Sequence, residues 1–198
     1  MRVLVACEYS GRVRRAFAAL GHDVWSADFE ASEDDSPRHY RGDCFDLIAL
    51  AAPFDLMIAH PPCTYLAVSG LHWNKRVPGR ADKTEEALAF VQRLLSAPVP
   101  RIALENPISC ISTRIRKPDQ IIQPWWFGED ASKATCLWLK GLPPLVPTNR
   151  LPGDNRTRRA NQTASGQNKL GPSPTRWKER SRTYEGVAAA MAAQWGVS

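Results

Sequence analysis

The sequence predicts one α/β domain with a mainly parallel sheet and helices on both faces. Short apolar runs alternate with segments of helical periodicity over the first two thirds of the chain. Strands that alternate with helices favour parallel pairing, because each crossover returns the chain to the same edge of the sheet. The 198 residues, 43% of them hydrophobic, suffice for one core and are too few for two large ones.

Five short apolar runs predict the strands of this sheet. We expect strands at 3–6, 24–27, 54–59, 101–104 and 135–139. Runs of this length, bounded by turn residues, are typical of buried strands. Pro61 and Pro62 follow the third run and end it, because proline lacks the N–H that a strand ladder needs.

Apolar residues at helical spacing predict four helices. We expect them at 11–20, over a short segment that follows Asp43 and includes 47–50, at 84–95 and at 184–195. The packing faces are expected to be Val13, Ala16, Phe17 and Leu20 in the first helix and Val187, Ala190, Met191 and Trp195 in the last. The third helix is expected to begin at a Thr84 cap, with Glu85 and Glu86 in its first turn.

The segment 147–182 differs from the rest of the chain and predicts a long basic loop. It is rich in Arg, Asn, Thr, Gly and Pro and has almost no apolar periodicity. The cations expected to bind nucleic acid are Arg150, Arg156, Arg158, Arg159, Lys169, Arg176, Lys178 and Arg180. The net charge of +6 and the pI of about 9.3 are compatible with such a partner. We therefore divide the chain into a core (1–146), this loop, and a C-terminal helix (183–198) that packs back on the core.

The cysteines and the apolar runs exclude several protein classes. Five scattered cysteines without a CxxC pair argue against a disulfide framework or a structural zinc site, so we expect no metal. No apolar run approaches the roughly 20 residues that span a bilayer, so we expect no membrane association. The first apolar run continues directly into Cys7 and Glu8, which favours a strand over a signal peptide and a cytoplasmic location.

Polar and reactive residues stand where the predicted strands end, which is where open α/β sheets bind ligands. Asp28, at the end of the second strand, is typical of an acid that binds ribose hydroxyls. The turn 8–11 would let the backbone approach a ligand. Neither a full GxGxxG pattern nor a Walker lysine is present there, which favours a nucleoside ligand without a bound phosphate.

Cys63 lies in a proline-stiffened loop that can present a thiolate in one place, as covalent catalysis requires. A basic surface nearby is expected to lower the pKa of this thiol. Glu105 ends the next strand and is expected across the pocket, where it can protonate or hold a ring nitrogen.

Together these motifs resemble the cytosine-C5 DNA methyltransferase family, and the resemblance covers nearly the whole chain. The Pro62-Cys63 pair matches the family's nucleophile motif, and Glu105-Asn106 matches the motif that holds a flipped cytosine. The resemblance implies a Rossmann-like class I methyltransferase fold, S-adenosyl-L-methionine as cofactor, and Cys63, Glu105, Asn106 and Lys133 as catalytic residues. It also implies cofactor contacts from Cys7, Glu8, Tyr9, Ser10, Gly11, Asp28, Phe29, Asp43, Cys44, Pro61 and Pro62.

The chain departs from the family pattern at three places. Thr64 follows the nucleophile where the family has Gln, and only Lys133 retains a cation of the family's Gln-x-Arg-x-Arg motif. Contact to the base O2 is therefore assigned to Lys133 or to an arginine of the tail. The large target-recognition domain is replaced by the segment 147–182, which is long enough to contact only a few bases.

The resemblance implies methylation of C5 of cytosine in DNA through a covalent Cys63 adduct. Duplex DNA would require flipping of the target base, and Trp73, Trp125 and Trp126 are candidates for base stacking. The small size favours an enzyme of a phage or mobile element, in a bacterial or phage-infected cell. Three alternatives remain open: a free cytidine nucleotide or single strand as substrate, transfer of a group other than methyl, and a non-catalytic nucleic-acid-binding relic of the fold.

Overall fold

A seven-stranded mixed sheet forms the centre of the computed structural model, which describes residues 1–51 and 53–197. The strands are β1 (Arg2–Ala6), β2 (Asp23–Asp28), β3 (His39–Arg41), β4 (Leu56–Ala59), β5 (Arg101–Pro107), β6 (Gln120–Ile122) and β7 (Thr135–Lys140). Their order is β3-β2-β1-β4-β5-β7-β6. The pairs among β1 to β5 are parallel, and β7 runs antiparallel to both of its neighbours. The prediction of a mainly parallel sheet is confirmed.

Helices cover both faces of this sheet, as predicted for an α/β, Rossmann-like fold. They are α1 (Arg12–Ala18), α2 (Cys44–Ala51), α3 (Arg80–Leu95), α4 (Ile111–Arg114), α5 (Arg176–Ser181) and α6 (Glu185–Trp195), with 3₁₀ helices at Val68–Lys75 and Pro124–Trp126. Alternate side chains of β1 point to opposite faces. Leu4 packs in the core that α2 and α3 close, whereas Val3 and Val5 pack in the core that α1 and α6 close.

Two details of the predicted helices are wrong. Helix α3 begins at Arg80, one turn before Thr84, with Gly79 as its N-cap residue. Thr84 is buried, and its hydroxyl donates to the carbonyl of Tyr65 at 3.0 Å instead of capping the helix. Leu20 lies beyond α1 with 54% of its surface exposed.

A buried cation takes a place on α1 that apolar periodicity does not predict. Arg14 is 6% exposed, and its guanidinium donates to Asp34 at 2.5 and 2.6 Å and to Ser26 at 3.1 Å. Such pairing offsets the cost of removing a charge from water. The two carboxylate bonds help to lower the pKa of Asp34 far below its usual value.

Helix α6 packs back on the core through the predicted face. Val187, Ala190, Met191 and Trp195 are all buried. Gly186 permits the close approach at the start of the helix, because a Cβ atom there would lie 1.9 Å from the carbonyl oxygen of Phe127. This packing brings Thr183 and Tyr184 to the wall of a cleft beside Glu105.

The tail contains structure that the sequence did not predict. Helix α5 lies within the tail. The middle of the tail is bound to the core by Asn161, whose side-chain amide makes hydrogen bonds of 2.9 and 3.0 Å with the backbone of Ser132. Edge strands β3 and β6, of three residues each, were also missed because such short segments carry little periodic signal. The division of the chain at 146 and 182 stays a prediction.

Candidate active site

The carboxyl edge of the parallel strands gathers many of the predicted site residues. Cys7 directly follows β1, Asp28 ends β2, and Glu105 lies in β5 beside the residue that follows β4. Strand β7 is antiparallel, so its first residues lie at this same edge. That reversal brings Lys133 to the site, only two residues before β7 begins.

Two side-chain hydrogen bonds join the ends of β4 and β5. His60 Nδ1 lies 2.8 Å from Glu105 Oε2, and the side-chain amide of Asn106 donates to the carbonyl of Pro61 at 2.8 Å. We call these four residues the β4–β5 clasp. Three of its members, Pro61, Glu105 and Asn106, are buried, and the His60 side chain is 8% exposed. The clasp therefore fixes the loop that carries Cys63 against β5.

Glu105 is held as a carboxylate. Burial alone would raise the pKa of its carboxyl group. The positive charge of Lys133 and the hydrogen bond from His60 outweigh burial and lower that pKa below its usual value. In the free protein Glu105 is therefore a hydrogen-bond acceptor at neutral pH, suited to hold an amino or protonated ring nitrogen.

The expected lowering of the Cys63 pKa is wrong. Desolvation by the surrounding protein raises the pKa of this thiol, and the negative charge of Glu105 adds to the effect. Lys133 and Arg180 act in the opposite direction without reversing it. Cys63 itself is exposed to solvent. It is therefore accessible, and it is mainly a thiol at neutral pH before any ligand binds.

A narrow cleft beside Glu105 extends this site toward the C-terminal part of the chain. Lys133, Thr135, Thr183 and Tyr184 contribute to its lining. The ammonium group of Lys133 donates to the carbonyl of Arg180 at 3.0 Å, which links β7 to α5. Sequence reasoning assigned no role to His60, Thr183 or Tyr184. Only His60 carried a signal, since it directly precedes the Pro-Pro-Cys motif.

A second cluster lies at the ends of β1 and β2 and contains predicted cofactor residues. Cys7 has a φ of 59°, a left-handed conformation that is uncommon for a residue with a side chain. A hydrogen bond with Cys44 and burial raise the pKa of the Cys7 thiol, and the charges of Asp28 and Asp43 add to this. The four side chains are therefore close enough to share one electrostatic environment.

The two carboxylates of this cluster retain acceptor capacity for a ligand. Asp28 accepts the backbone N–H of Glu30 at 2.9 Å, and Asp43 accepts that of Phe45 at 2.9 Å. Burial raises the pKa of Asp28. The neighbouring Phe29 ring is 73% exposed. Partly desolvated carboxylates next to an open aromatic ring suit the hydroxyl and amino groups of a nucleoside.

The side chains of the turn 8–11 bind protein groups. Glu8 is 4% exposed and accepts the backbone N–H groups of Val13 at 2.7 Å and Arg14 at 3.2 Å, so it caps α1. The Tyr9 hydroxyl donates to the carbonyl of Lys178 at 2.6 Å, and the Ser10 hydroxyl lies 3.4 Å from Glu8. The turn can therefore offer a ligand its backbone but not the carboxylate of Glu8.

The predicted nucleic-acid residues divide into exposed and engaged cations, and Arg150 belongs to both groups, because its guanidinium lies 5.0 Å from the ring centre of Trp125. Arg150, Arg156, Arg158, Lys169 and Arg180 are exposed. Three others make contacts within the protein: Lys178 pairs with Glu30 at 2.9 Å, Arg176 donates to the carbonyl of Leu170 at 2.9 Å, and the Arg159 side chain is only 5% exposed.

Burial argues against the predicted contact between Arg159 and phosphate. Its guanidinium lies 4.6 Å from the ring centre of Trp125, which is itself 2% exposed and so cannot stack on a base. Trp73 remains 45% exposed and lies on the 3₁₀ helix that follows the Cys63 loop. Trp126 is half-buried, so Trp73 is the most exposed of the three tryptophans considered for stacking.

Within the described ranges, no group of three or more His, Cys, Asp or Glu side chains has an arrangement that could hold a metal ion. None of the helices in those same ranges combines the length and the apolar character needed to cross a bilayer.

Comparison with known proteins finds likeness among solved structures, 57 chains of which match. No protein-family model matches the sequence, and no curated protein matches it. A solved structure from E. coli, described as a candidate DNA modification methyltransferase encoded within a prophage, matches with a TM-score of 0.49 and 15% identity. The match covers 77% of this chain and 52% of the other, so this chain spans about half the length of that protein. A likeness of this degree adds nothing about activity to what the site geometry supports.

Proposed function

We propose that the protein is an S-adenosylmethionine-dependent methyltransferase that acts on C5 of cytosine in DNA through a covalent Cys63 adduct. The observation that carries this proposal is the meeting of Cys63, Glu105 and Lys133 at one edge of the sheet, where the charge of Lys133 acts on both Glu105 and Cys63 and the charge of Glu105 acts on Cys63. A nucleophile, an acceptor carboxylate and a cation are the three groups that attack at C6 of a cytosine ring requires.

The roles of the three residues follow from the charges that develop on the ring. The Cys63 thiol loses its proton and its sulfur forms a bond to C6, while the electron pair of the C5–C6 double bond moves toward N3 and O2 and N3 takes up one proton. Glu105 accepts the N–H of the exocyclic amino group and shares the proton at N3, while Lys133 stabilises negative charge at O2. With the electron pair returned from the ring, C5 would form a bond to the methyl group as the bond between that methyl group and the cofactor sulfur breaks, and S-adenosylhomocysteine would leave. Water then removes the C5 proton, the electron pair of that bond re-forms the C5–C6 double bond and expels Cys63 as a thiolate, and the N3 proton is released.

The second cluster is proposed to hold the cofactor. Asp28 would bind the ribose hydroxyls, Asp43 the adenine amino group, and Phe29 the face of the adenine. S-Adenosylmethionine, when bound, supplies an electrophilic methyl group to the site. The chemistry of these side chains supports the assignment, because each carboxylate accepts one backbone N–H and retains further acceptor capacity.

Transfer of labelled methyl from S-adenosylmethionine tests the proposed function. The substrates are duplex DNA, single-stranded DNA, RNA and dCMP, followed by digestion and identification of the labelled base. We expect 5-methylcytosine in DNA. Label found only in dCMP would show that the substrate is a free nucleotide. Binding of the cofactor without methyl transfer would favour transfer of a group other than methyl or a non-catalytic protein.

Replacing Asp28 with Asn is expected to weaken S-adenosylmethionine binding about tenfold to a hundredfold, the size of one or two hydrogen bonds to a charged group. Isothermal titration calorimetry measures this affinity. Asp23→Asn is the matched control, since Asp23 begins the same strand at the opposite edge of the sheet, where it pairs with the half-buried Arg2 and the exposed Arg38. Equal affinities for the two variants would contradict the cofactor assignment.

Replacing Arg156 and Arg158 together with Gln is expected to weaken DNA binding and to reduce its salt dependence. Each phosphate contact contributes about −0.9 to the slope of log K against log salt, so the slope should become shallower by up to about two. Fluorescence anisotropy with a labelled duplex between low and moderate salt measures both quantities. A wild-type affinity that does not respond to salt would show that this segment does not follow a phosphate backbone.

A further inference from the structure

His60 occupies a position beside Glu105 that the paired strands dictate. Ala59 and Leu104 are register partners in β4 and β5, so the next residues along these parallel strands are His60 and Glu105. Their side chains are 8% and 9% exposed, and His60 Nδ1 lies 2.8 Å from Glu105 Oε2. The imidazole thus shares the buried side of the site with the carboxylate and lies three residues before Cys63 in the chain.

The direction of this hydrogen bond follows from the state of Glu105. An ionised carboxylate has no proton to give, so the bond requires His60 Nδ1 to carry the hydrogen. The other oxygen, Oε1, accepts no hydrogen bond from any residue that the structure describes. Glu105 also lines the cleft. One oxygen is therefore fixed by the imidazole, and the other is left for a ligand.

The second ring nitrogen of His60 points to a role other than packing. Nε2 is buried and has no hydrogen-bond partner among the described residues. A buried ring nitrogen without a partner is unfavourable, because it loses its hydrogen bond to water and gains none in the protein. An apolar side chain of similar size would avoid that cost, and the bond to Glu105 is what the imidazole provides at this place in its stead.

We propose that His60 is a positioning residue for Glu105, which it holds through Nδ1–H so that Oε1 faces the target cytosine. This inference rests on the proposed function for the identity of the base. It assigns the chain an orienting histidine directly ahead of the Pro-Pro-Cys loop. The same contact also ties the nucleophile loop to the carboxylate, so the two groups that act on opposite sides of the ring are positioned together.

Three other titratable groups interact electrostatically with Glu105. They determine how the pKa of Glu105 would change if the imidazole were removed. Lys133 precedes β7 and lowers the pKa of Glu105, while Cys63 and Cys136 are thiols whose own pKa values Glu105 raises. Loss of His60 removes one stabilising hydrogen bond and leaves Lys133 as the charged partner. The pKa of Glu105 is then expected to rise, and whichever limb of the pH profile Glu105 governs should move to higher pH.

Two variants separate positioning from packing. His60→Leu removes the donor, and His60→Asn keeps an amide donor near the place of Nδ1. We expect kcat/KM for methyl transfer to fall about tenfold to a hundredfold in His60→Leu, the size of a hydrogen bond to a charged group. His60→Asn should recover most of this loss. A purely structural role would lower both variants alike and leave the pH profile in place, which would overturn the proposal.

Measurement of the His60 ring nitrogens in the wild-type protein gives a test that does not depend on activity or on the folding of a variant. The ¹⁵N chemical shifts of His60 should show a protonated Nδ1 at neutral pH. An unprotonated Nδ1 would overturn the inference even if methyl transfer were observed. Absence of methyl transfer by wild type to every nucleic acid would instead overturn the proposed function, while the Nδ1 result would still decide how Glu105 is held.

Discussion

Replacing Cys63 with Ala is expected to abolish methyl transfer, with a loss of at least about a thousandfold, because removal of a covalent nucleophile leaves only binding and electrostatic contributions. Binding of S-adenosylmethionine should be unchanged, since Cys63 follows β4 whereas the Asp28 cluster lies at the ends of β1 and β2. Labelled methyl transfer and calorimetric cofactor binding, measured on the same preparation, separate these two effects.

The matched control is Cys110→Ala, which removes a buried thiol at the residue that precedes α4. It should lower stability slightly and leave transfer within about threefold of wild type, as expected for a small core truncation. Transfer that survives in Cys63→Ala would show that the thiol is not the nucleophile. Equal losses in the two cysteine variants would point to unfolding instead of chemistry.

The raised pKa of Cys63 determines how the rate of its alkylation in the wild-type protein depends on pH. A thiol whose pKa lies above its usual value supplies little thiolate at neutral pH, and the fraction rises as the pH increases toward that pKa. The rate of Cys63 alkylation by iodoacetamide should therefore rise through the alkaline range. A plateau already reached at neutral pH would mean that the thiolate is stabilised by groups in addition to Lys133 and Arg180.

The residues at the carboxyl edge of the sheet could be predicted from the sequence, because the parallel strands end where the apolar runs end. Asp28, Cys63 and Glu105 each follow or close such a run, and the geometry of an α/β sheet places these positions together. The packing face of α6 was equally readable, since its apolar residues repeat at helical spacing. Local periodicity was sufficient wherever one face of an element is buried.

The remaining features depend on contacts between distant parts of the chain. The contact of α5 with Tyr9 joins residues 169 positions apart, and no local pattern encodes it. The raised pKa of Cys63 reflects desolvation by residues that surround it only in the folded protein. Thr84 met the sequence preference of a cap, yet its hydroxyl is taken by Tyr65 on a neighbouring segment. In each case tertiary contacts override a sound local preference.

Replacing Glu105 with Gln is expected to lower methyl transfer about a hundredfold to a thousandfold, within the range that a positioned acid–base group contributes. Glutamine has almost the same shape and can still accept the hydrogen bond from His60, so the β4–β5 clasp should persist. It lacks the charge that favours a proton at N3 of the base. The exposed Glu85→Gln, which breaks only a surface pair with Arg114, is the matched control and should retain full activity.

Glu105→Gln should make the Cys63 thiol more reactive while it makes methyl transfer slower. This pair of effects distinguishes an electrostatic role of Glu105 from general damage to the site. The negative charge of Glu105 raises the pKa of Cys63, so its removal lowers that pKa and increases the thiolate fraction at neutral pH. Alkylation of Cys63 by iodoacetamide, followed by mass spectrometry of its peptide, should become faster than in wild type while methyl transfer becomes slower. A disordered site would also react faster, but it would lose the difference between Cys63 and the buried Cys136, because both thiols would then be modified. Faster alkylation confined to Cys63, together with slower transfer, would show that the loss of transfer does not come from a less reactive nucleophile, as expected if Glu105 acts on the bound base.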